Sequence, residues 1–313
     1  MKYFKNQKCD FQYPVVAMGT FDGIHLGHQK LLSELKARAQ ETSGETVVIT
    51  YYHHPLETIH RKTFPYLLTE KNKKEKLLKD IGIDCVLYLN FNEQLSKMSS
   101  EQFLKDILIG EIHAKEIIVG YDTHFGRFRE GNFQFLKNNE EKYKYKVSLI
   151  EPLKINNRVI SSSIIRDFVR EGDMIDVRKC LGRYYSLIGI VQTGHRIGRE
   201  LGFPTINVKP FDEHKLIPAI GVYFCEAVVD NKKFIGLTNV GYSPTLKQSS
   251  IKEVETHLID FEGDLYHKNV EIFFHKRLRD ELLFKNKKEL VNAIYEDVLR
   301  AKQYFGQNNK FID

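Results

Sequence analysis

Two histidines three residues apart, His25 and His28, flank Gly27 where an apolar run gives way to a helical pattern. Side chains at that spacing project to one side of a helix start, where free N–H groups and the positive dipole end attract anions. The full segment 19–28 reads Gly-Thr-Phe-Asp-Gly-Ile-His-Leu-Gly-His, and its small residues let backbone approach a ligand closely. An isolated pair of this kind would be a cap and a surface residue; in the complete string the two imidazoles can grip one phosphate chain together. No GxxxxGK[ST] loop occurs, so this half does not hold a nucleotide as a P-loop kinase does. A second cluster, Ile160-Ser-Ser-Ser-Ile-Ile-Arg166, sets hydroxyls at a helix start and an arginine on its first turn, again a phosphate-binding chemistry.

A different set lies further along. In segment 189–207, Gly194, Gly198 and Gly202 free the backbone to wrap a phosphate chain, and Pro-Thr-Ile-Asn follows. Thr205 and Asn207, two apart in an extended segment, present oxygens to one side and can bind a hard cation such as Mg²⁺. Glu255 stands in an alternating segment with Val254 and Leu258 and, taken alone, is an exposed strand residue.

The elements that must position these groups change character near residues 181–186. Before that boundary, β-type runs at 13–18, 46–50, 84–89, 116–119 and 146–150 alternate with helical patterns, the signature of a parallel sheet with crossover helices. Leu31, Leu32, Leu35 and Ala39 repeat at helical spacing, and Ser99 with Gln102 forms a capping box before Phe103, Leu104, Ile107 and Leu108. Lys71, Lys73, Lys74, Lys76 and Lys79 read as the solvated face of a helix carrying Leu77, Leu78 and Ile81. After the boundary, short alternating segments at 185–191, 221–229, 233–239, 253–261 and 269–274 indicate an antiparallel barrel or sandwich. A last helix places Leu290, Ile294, Val298 and Ala301 on one face.

These motifs carry a resemblance. The first half is similar to the HxGH nucleotidylyltransferases, and within them to the FMN adenylyltransferase module of bacterial bifunctional riboflavin kinase/FAD synthetases. The matches are 19–28, Tyr51-Tyr-His-His-Pro55, Gly120-Tyr-Asp-Thr-His-Phe-Gly-Arg-Phe-Arg-Glu-Gly131 and 160–166. Ser163 replaces a usual threonine, Thr123 a phenylalanine and His53 a proline. The second half resembles riboflavin kinases through 189–207, 239–245, 254–261 and 278–284, with His267 where that family has glycine.

The resemblance implies a Rossmann-like α/β nucleotidylyltransferase domain over 1–182, followed by a mostly antiparallel β-barrel domain with a C-terminal helix over 183–313. It implies phosphorylation of riboflavin to FMN in the second domain and adenylylation of FMN to FAD, with release of pyrophosphate, in the first. Mg²⁺ and ATP serve both. His25 and His28 are assigned to the α- and β-phosphates, with Gly19, Phe21, Asp22 and Gly27 in the same turn, and Ser162, Ser163 and Arg166 on the outer phosphates. Asp122, Phe125 and Arg279 fall to the flavin side, Thr205 and Asn207 to Mg–ATP, and Glu255 becomes the general base.

Composition narrows the remaining classes. With 42% hydrophobic and 28% charged residues in 313, the chain is an ordinary globular protein with enough length for two domains. The longest apolar runs fall far short of the roughly 18 residues of a membrane helix, and the first ten residues lack a signal-peptide pattern, so a cytoplasmic protein is expected. Cys9, Cys85, Cys180 and Cys225 form no CxxC pair and read as buried or incidental thiols. A net charge of +6, without an aromatic platform among the basic residues, suits anionic small molecules rather than nucleic acid. No obligate protein partner is expected.

Overall fold

Strands rich in β-branched residues and buried on both faces need helices on either side, and the first half is built that way. Its sheet contains β1 (Lys2–Phe4), β2 (Pro14–Met18), β3 (Glu45–Tyr51), β4 (Cys85–Leu89), β5 (Glu116–Gly120) and β6 (Lys146–Ile150). Every pairing is parallel, in the order β1-β4-β3-β2-β5-β6. The structure is a computed structural model and describes residues 2–4, 11–51, 66–193, 197–242 and 252–308. The chain divides into two compact units, Met1–Ser162 and Ser163–Asp313.

Helix α1 (Leu26–Glu41) buries Leu31, Leu32, Leu35 and Ala39, the residues its periodicity singles out, in a core shared with Val15, Ala17 and Val48. The opposite face holds Phe103, Leu104, Ile107 and Leu108. They follow the expected Ser99–Gln102 capping box, on a helix that widens to π-type turns over Phe103–Glu111. The strand order reverses between β2 and β5, so the loops leaving Met18 and Gly120 open the crevice in which doubly wound sheets bind ligands.

Helix α2 (Lys71–Ile81) corrects one expectation. Leu78 is buried as foreseen and Lys76 and Lys79 are exposed, but Lys74 leaves the solvated face. Its Nζ donates to the Thr20 carbonyl at 2.9 Å. Periodicity assigns a residue to a face by its neighbours in sequence, and a four-carbon stem can carry its ammonium off that face to a distant acceptor.

After a short antiparallel ribbon of β7 (Lys154–Ile155) and β8 (Arg158–Val159), the second unit begins within α3 (Ser162–Glu171) and continues through α4 (Met174–Leu181) into a closed barrel. Its strands are β9 (Tyr185–Gln192), β10 (Thr205–Pro210), β11 (Gly221–Val229), β12 (Lys232–Tyr242), β13 (Lys252–Leu258) and β14 (Asn269–Arg279), in the order β10-β13-β12-β11-β14-β9. The pattern left barrel and sandwich open. Closure comes from β10, the extended Thr205–Asn207 segment, which pairs antiparallel with both β13 and β9. Inside lie Tyr185, Tyr223, Cys225 and Phe274, with Thr238 and Thr256 hydroxyls 2.9 Å apart. Burial pushes the Cys225 thiol up to about 12, which leaves it inert. Cys85 and Cys180 are also buried free thiols, and Cys9 lies outside the described residues. His267 has φ 63, in the left-handed region that glycine adopts without steric cost.

Helix α5 (Lys287–Asn308) closes over the outside of the barrel, packing Ala301 and Phe305 on Val222, Phe224 and Leu237, with Val298 partly buried beside them. Asp297 is buried on the same helix because Arg279 donates to its Oδ2 from Nε at 2.9 Å and Nη2 at 2.6 Å. Nearby, His275 stacks on Tyr184 with centroids 3.6 Å apart and meets Phe305 edge-on at 5.0 Å.

The His275 ring also faces Glu226 Oε2 at 3.3 Å, and this contact holds the Glu226 carboxyl below its ordinary value of 4.5 against the opposing effect of burial. A depressed carboxyl contributes stability that is present above the unfolded-state value and lost as pH falls through the folded one. Glu226→Gln is therefore expected to lower the unfolding midpoint at pH 7 and to differ less from the parent chain below about pH 4. A denaturant series across pH checks this, and a pH-independent difference would overturn it.

Candidate functional sites

In the first unit the chain must turn from the end of β2 into α1, and it does so through Phe21, Gly23 and Ile24 at φ 48, 89 and 37. Two of these are non-glycine residues in the left-handed region, each costing about 1 kcal/mol that surrounding contacts must offset. The contacts are specific. Thr50 Oγ1 and Lys74 Nζ both donate to the Thr20 carbonyl, at 3.1 and 2.9 Å. Ser162 Oγ donates to the Asp22 carbonyl at 2.8 Å, and Gln29 Nε2 to that of Ile24 at 2.9 Å. The buried Asp22 carboxylate accepts from the backbone of Leu68 at 3.1 Å and Thr69 at 3.0 Å.

His25 is the N-cap of α1: its Nδ1 accepts from the His28 backbone N–H at 3.2 Å. With Nδ1 an acceptor, the neutral ring carries its proton on Nε2 and can donate from there. The His25 and His28 rings stack with centroids 3.7 Å apart and 16° between planes. Gly27 leaves room for that stack: a Cβ there would lie 3.1 Å from His25 Nδ1 and 3.2 Å from Cε1, so the ring would have to give by a few tenths of an ångström. Phe21, 1% exposed, backs the pair with its ring 5.2 Å from that of His28. A Cβ on Gly19 would meet the Phe21 ring at 3.4 Å.

At the end of β5, Thr123 Oγ1 accepts from the Gly120 N–H at 3.0 Å, so this hydroxyl closes the turn locally. Asp122 is exposed. Phe125 is buried between Phe103 and Phe135, at centroid distances of 5.3 and 5.9 Å, and thus contributes a wall of the sheet core. Helix α3 begins at Ser162, next to Ser163, and carries buried Arg166 at the start of its second turn. Tyr51 ends β3, while the remainder of its motif, 52–55, lies outside the described residues, as does Gly194.

In the barrel, register places the second set. Asn207 pairs with Glu255 across β10 and β13, and Glu255 pairs with Asn239 across β13 and β12. Directly opposed residues share a face, so the three form a row across the outside of the barrel, away from Thr238 and Thr256. Thr205 joins it diagonally, its Oγ1 donating to Glu255 Oε1 at 2.5 Å. Gly198 lets the preceding loop fold tightly, because a Cβ there would collide with the Phe203 carbonyl and come within 3.1 Å of Thr205 Oγ1. Gly202 has φ 85. Arg279 is held on Asp297.

Three residues beyond those singled out join these sites. Lys74 braces the β2–α1 turn. His257 shares the Glu255 face by alternation, faces the Pro204 carbonyl through Nδ1 at 2.8 Å and meets Phe203 edge-on at 5.5 Å, holding the Thr205 segment. Glu281 accepts weakly from Asn239 Nδ2 at 3.4 Å. The period-two pattern of β13 was signal enough for His257; for Lys74 no local signal exists.

Comparison with known proteins bears on each half. The FAD synthetase family model matches residues 8–164 and the riboflavin kinase family model residues 181–305. Curated bifunctional riboflavin kinase/FMN adenylyltransferases are similar over nearly all of the chain. The Buchnera aphidicola (Schizaphis graminum) protein is 40% identical, with 93% of each chain covered. That of Bacillus subtilis is 32% identical over 95% of this chain and 94% of its own. A solved Streptococcus pneumoniae structure, described as a macrolide-efflux protein, superposes with a TM-score of 0.88 at 27% identity, over 96% of this chain and 98% of its own. No helix among the described residues is long and apolar enough to cross a membrane.

The close approach of Gly27 to His25 has a measurable consequence. Gly27→Ala is expected to push the His25 ring off its cap and weaken binding of ATP about tenfold, or 1.4 kcal/mol, with little change in helical content. Calorimetric titration checks it; undiminished affinity would show that the stacked pair does not depend on the glycine.

Proposed function

Because the chain belongs to the bifunctional riboflavin kinase/FMN adenylyltransferase family, we propose how its residues divide the work of two consecutive reactions. The enzyme phosphorylates riboflavin to FMN and adenylylates FMN to FAD, using ATP in each step.

The adenylyltransferase acts from the β2–α1 turn. The FMN phosphate attacks the α-phosphorus of ATP in line, pyrophosphate leaves, and no covalent enzyme intermediate is needed. Charge builds on the phosphoryl oxygens, so the protein's contribution is positioning and electrostatic stabilisation. His25 donates from Nε2 to the α- or β-phosphate, a direction set by the cap bond at Nδ1, and stacked His28 takes the adjoining oxygen. Ser162, Ser163 and Arg166 hold the outer phosphates from the start of α3, and the 120–131 loop carries the flavin side. Asp22 works through the backbone, fixing the turn with its carboxylate.

The kinase acts from the outer face of the barrel. Glu255 removes the proton of the terminal ribityl hydroxyl as that oxygen attacks the γ-phosphorus of ATP, and ADP leaves. Thr205 Oγ1 orients Glu255 from 2.5 Å, and Gly198 and Gly202 shape the loop that follows the phosphates. The hydroxyl of Thr205, the amide oxygen of Asn207 and the Glu255 carboxylate are hard oxygen donors on one face, a set that fits Mg²⁺. Thr205 and Asn207 would hold it, and when bound it neutralises phosphate charge. Arg279 anchors the strand end that borders this face.

The functional division we propose, 1–182 and 183–313, differs from the packing division at Ser162 and Ser163. The packing division falls between the first two residues of α3. The observation that carries the whole assignment is the coexistence of the stacked His25–His28 cap and the Thr205–Glu255 contact in one chain.

Chromatography of flavins from a mixture of protein, riboflavin, Mg²⁺ and ATP tests it. The parent chain should give FMN and then FAD. Glu255→Ala should lose riboflavin phosphorylation by a factor on the order of 10²–10⁴ yet still convert supplied FMN to FAD. His28→Ala should accumulate FMN. Continued FMN formation by Glu255→Ala would remove the base assignment.

A further inference from the structure

The turn that presents His25 and His28 is held from behind by a group that no phosphate-binding motif contains. We propose that Lys74 is a positioning residue for adenylyl transfer: its ammonium, bonded to the Thr20 carbonyl, locks the β2–α1 turn in the conformation that aims the two histidines. The inference deepens the proposed function and rests on its histidine assignment.

The argument begins with the backbone. Between Gly19, whose N–H still belongs to the sheet through the Ile49 carbonyl at 3.0 Å, and His25, which already caps α1, only five residues reverse the chain. Phe21 and Ile24 have positive φ, so the peptide planes on either side must be fixed externally or they relax. The plane between Thr20 and Phe21 is fixed through its carbonyl, which accepts from the buried Thr50 hydroxyl on one side and Lys74 on the other. A neutral hydroxyl supplies one ordinary hydrogen bond; an ammonium supplies a charge-assisted one, roughly twice as strong.

Charge supports the same reading. Burial pulls the Lys74 amine downward from its ordinary value, and the nearby Asp22 and Glu75 carboxylates oppose that by favouring the cation. Asp22 meanwhile is almost wholly buried and receives the Leu68 and Thr69 amides. Lys74 thus supplies a positive charge to a turn that contains a buried anion and must receive a polyphosphate. Its helix, α2, follows those two amides directly, so one short stretch, 68–74, grips the turn at both Thr20 and Asp22. A simple surface lysine on α2 would show none of these partners; Lys76 and Lys79 are exposed.

The test compares Lys74→Met, which keeps length and removes charge, with Lys74→Arg, which keeps a donor. FMN adenylylation and riboflavin phosphorylation are measured in the same preparation beside His28→Ala. Lys74→Met should lower kcat for FAD formation about 10- to 100-fold, as a misplacement near 1 Å does. KM for ATP should stay within about threefold, and FMN formation should be unchanged. Lys74→Arg should recover at least about tenfold of a large loss, because a guanidinium still donates to the carbonyl. In ¹⁵N-histidine spectra, Lys74→Met should alter the ring signals of His25 and Lys74→Arg should restore them.

Retention of kcat within twofold by Lys74→Met would overturn the inference. So would equal losses in the two variants, or a loss of helical signal with the kinase step also gone, which would make the lysine merely structural. Full FAD formation by His28→Ala would remove the histidine assignment and the inference with it. An inactive His28→Ala beside a fully active Lys74→Met would remove the inference alone.

Discussion

The first half of the enzyme hangs on a turn whose backbone is bent into left-handed conformations at Phe21, Gly23 and Ile24. That turn has little intrinsic preference for its shape. It is kept by three carbonyls, those of Thr20, Asp22 and Ile24, each accepting a side-chain hydrogen bond from a different part of the chain. The sheet supplies Thr50, α2 supplies Lys74, α1 supplies Gln29 and the start of α3 supplies Ser162. Geometry at the histidines is therefore a property of the whole layer, although the two rings lie only three residues apart in sequence.

The barrel solves a similar problem by other means. Its chemistry needs no strained turn, because strand register already aligns Asn207, Glu255 and Asn239 in one row, with Thr205 on the diagonal. Precision comes from a closed ladder of backbone hydrogen bonds. The Arg279–Asp297 pair, buried on the carboxylate side, extends this by tying the end of β14 to α5. Such a pair contributes less to net stability than to fixing one arrangement among several, since desolvation offsets much of its attraction.

Much of this was legible in the sequence, and the exceptions share a cause. Alternation and helical periodicity found the strands β2 to β6 and the buried face of α1, because burial is decided by residues near one another along the chain. The histidine and serine clusters were visible because both lie beside the elements that hold them. Lys74 was misassigned to solvent, and Asp297 was missed on α5, since each is drawn inward by a partner remote in sequence, Thr20 or Arg279. At three residues, β1 was too short to carry a pattern at all. The choice between barrel and sandwich depended on whether β10 paired on both edges, which no local rule decides.

Barrel closure also sets an order in time. Strand β9 pairs with β14, at the far end of the barrel sequence, so its ladder stays incomplete until nearly the whole second half has left the ribosome. The parallel sheet is finished with β6 at Ile150. Because domains fold as units during synthesis, the half that makes FAD takes shape while the barrel of the half that makes its FMN substrate is still open. Translation thus builds the pathway backwards, the later enzyme before the earlier one.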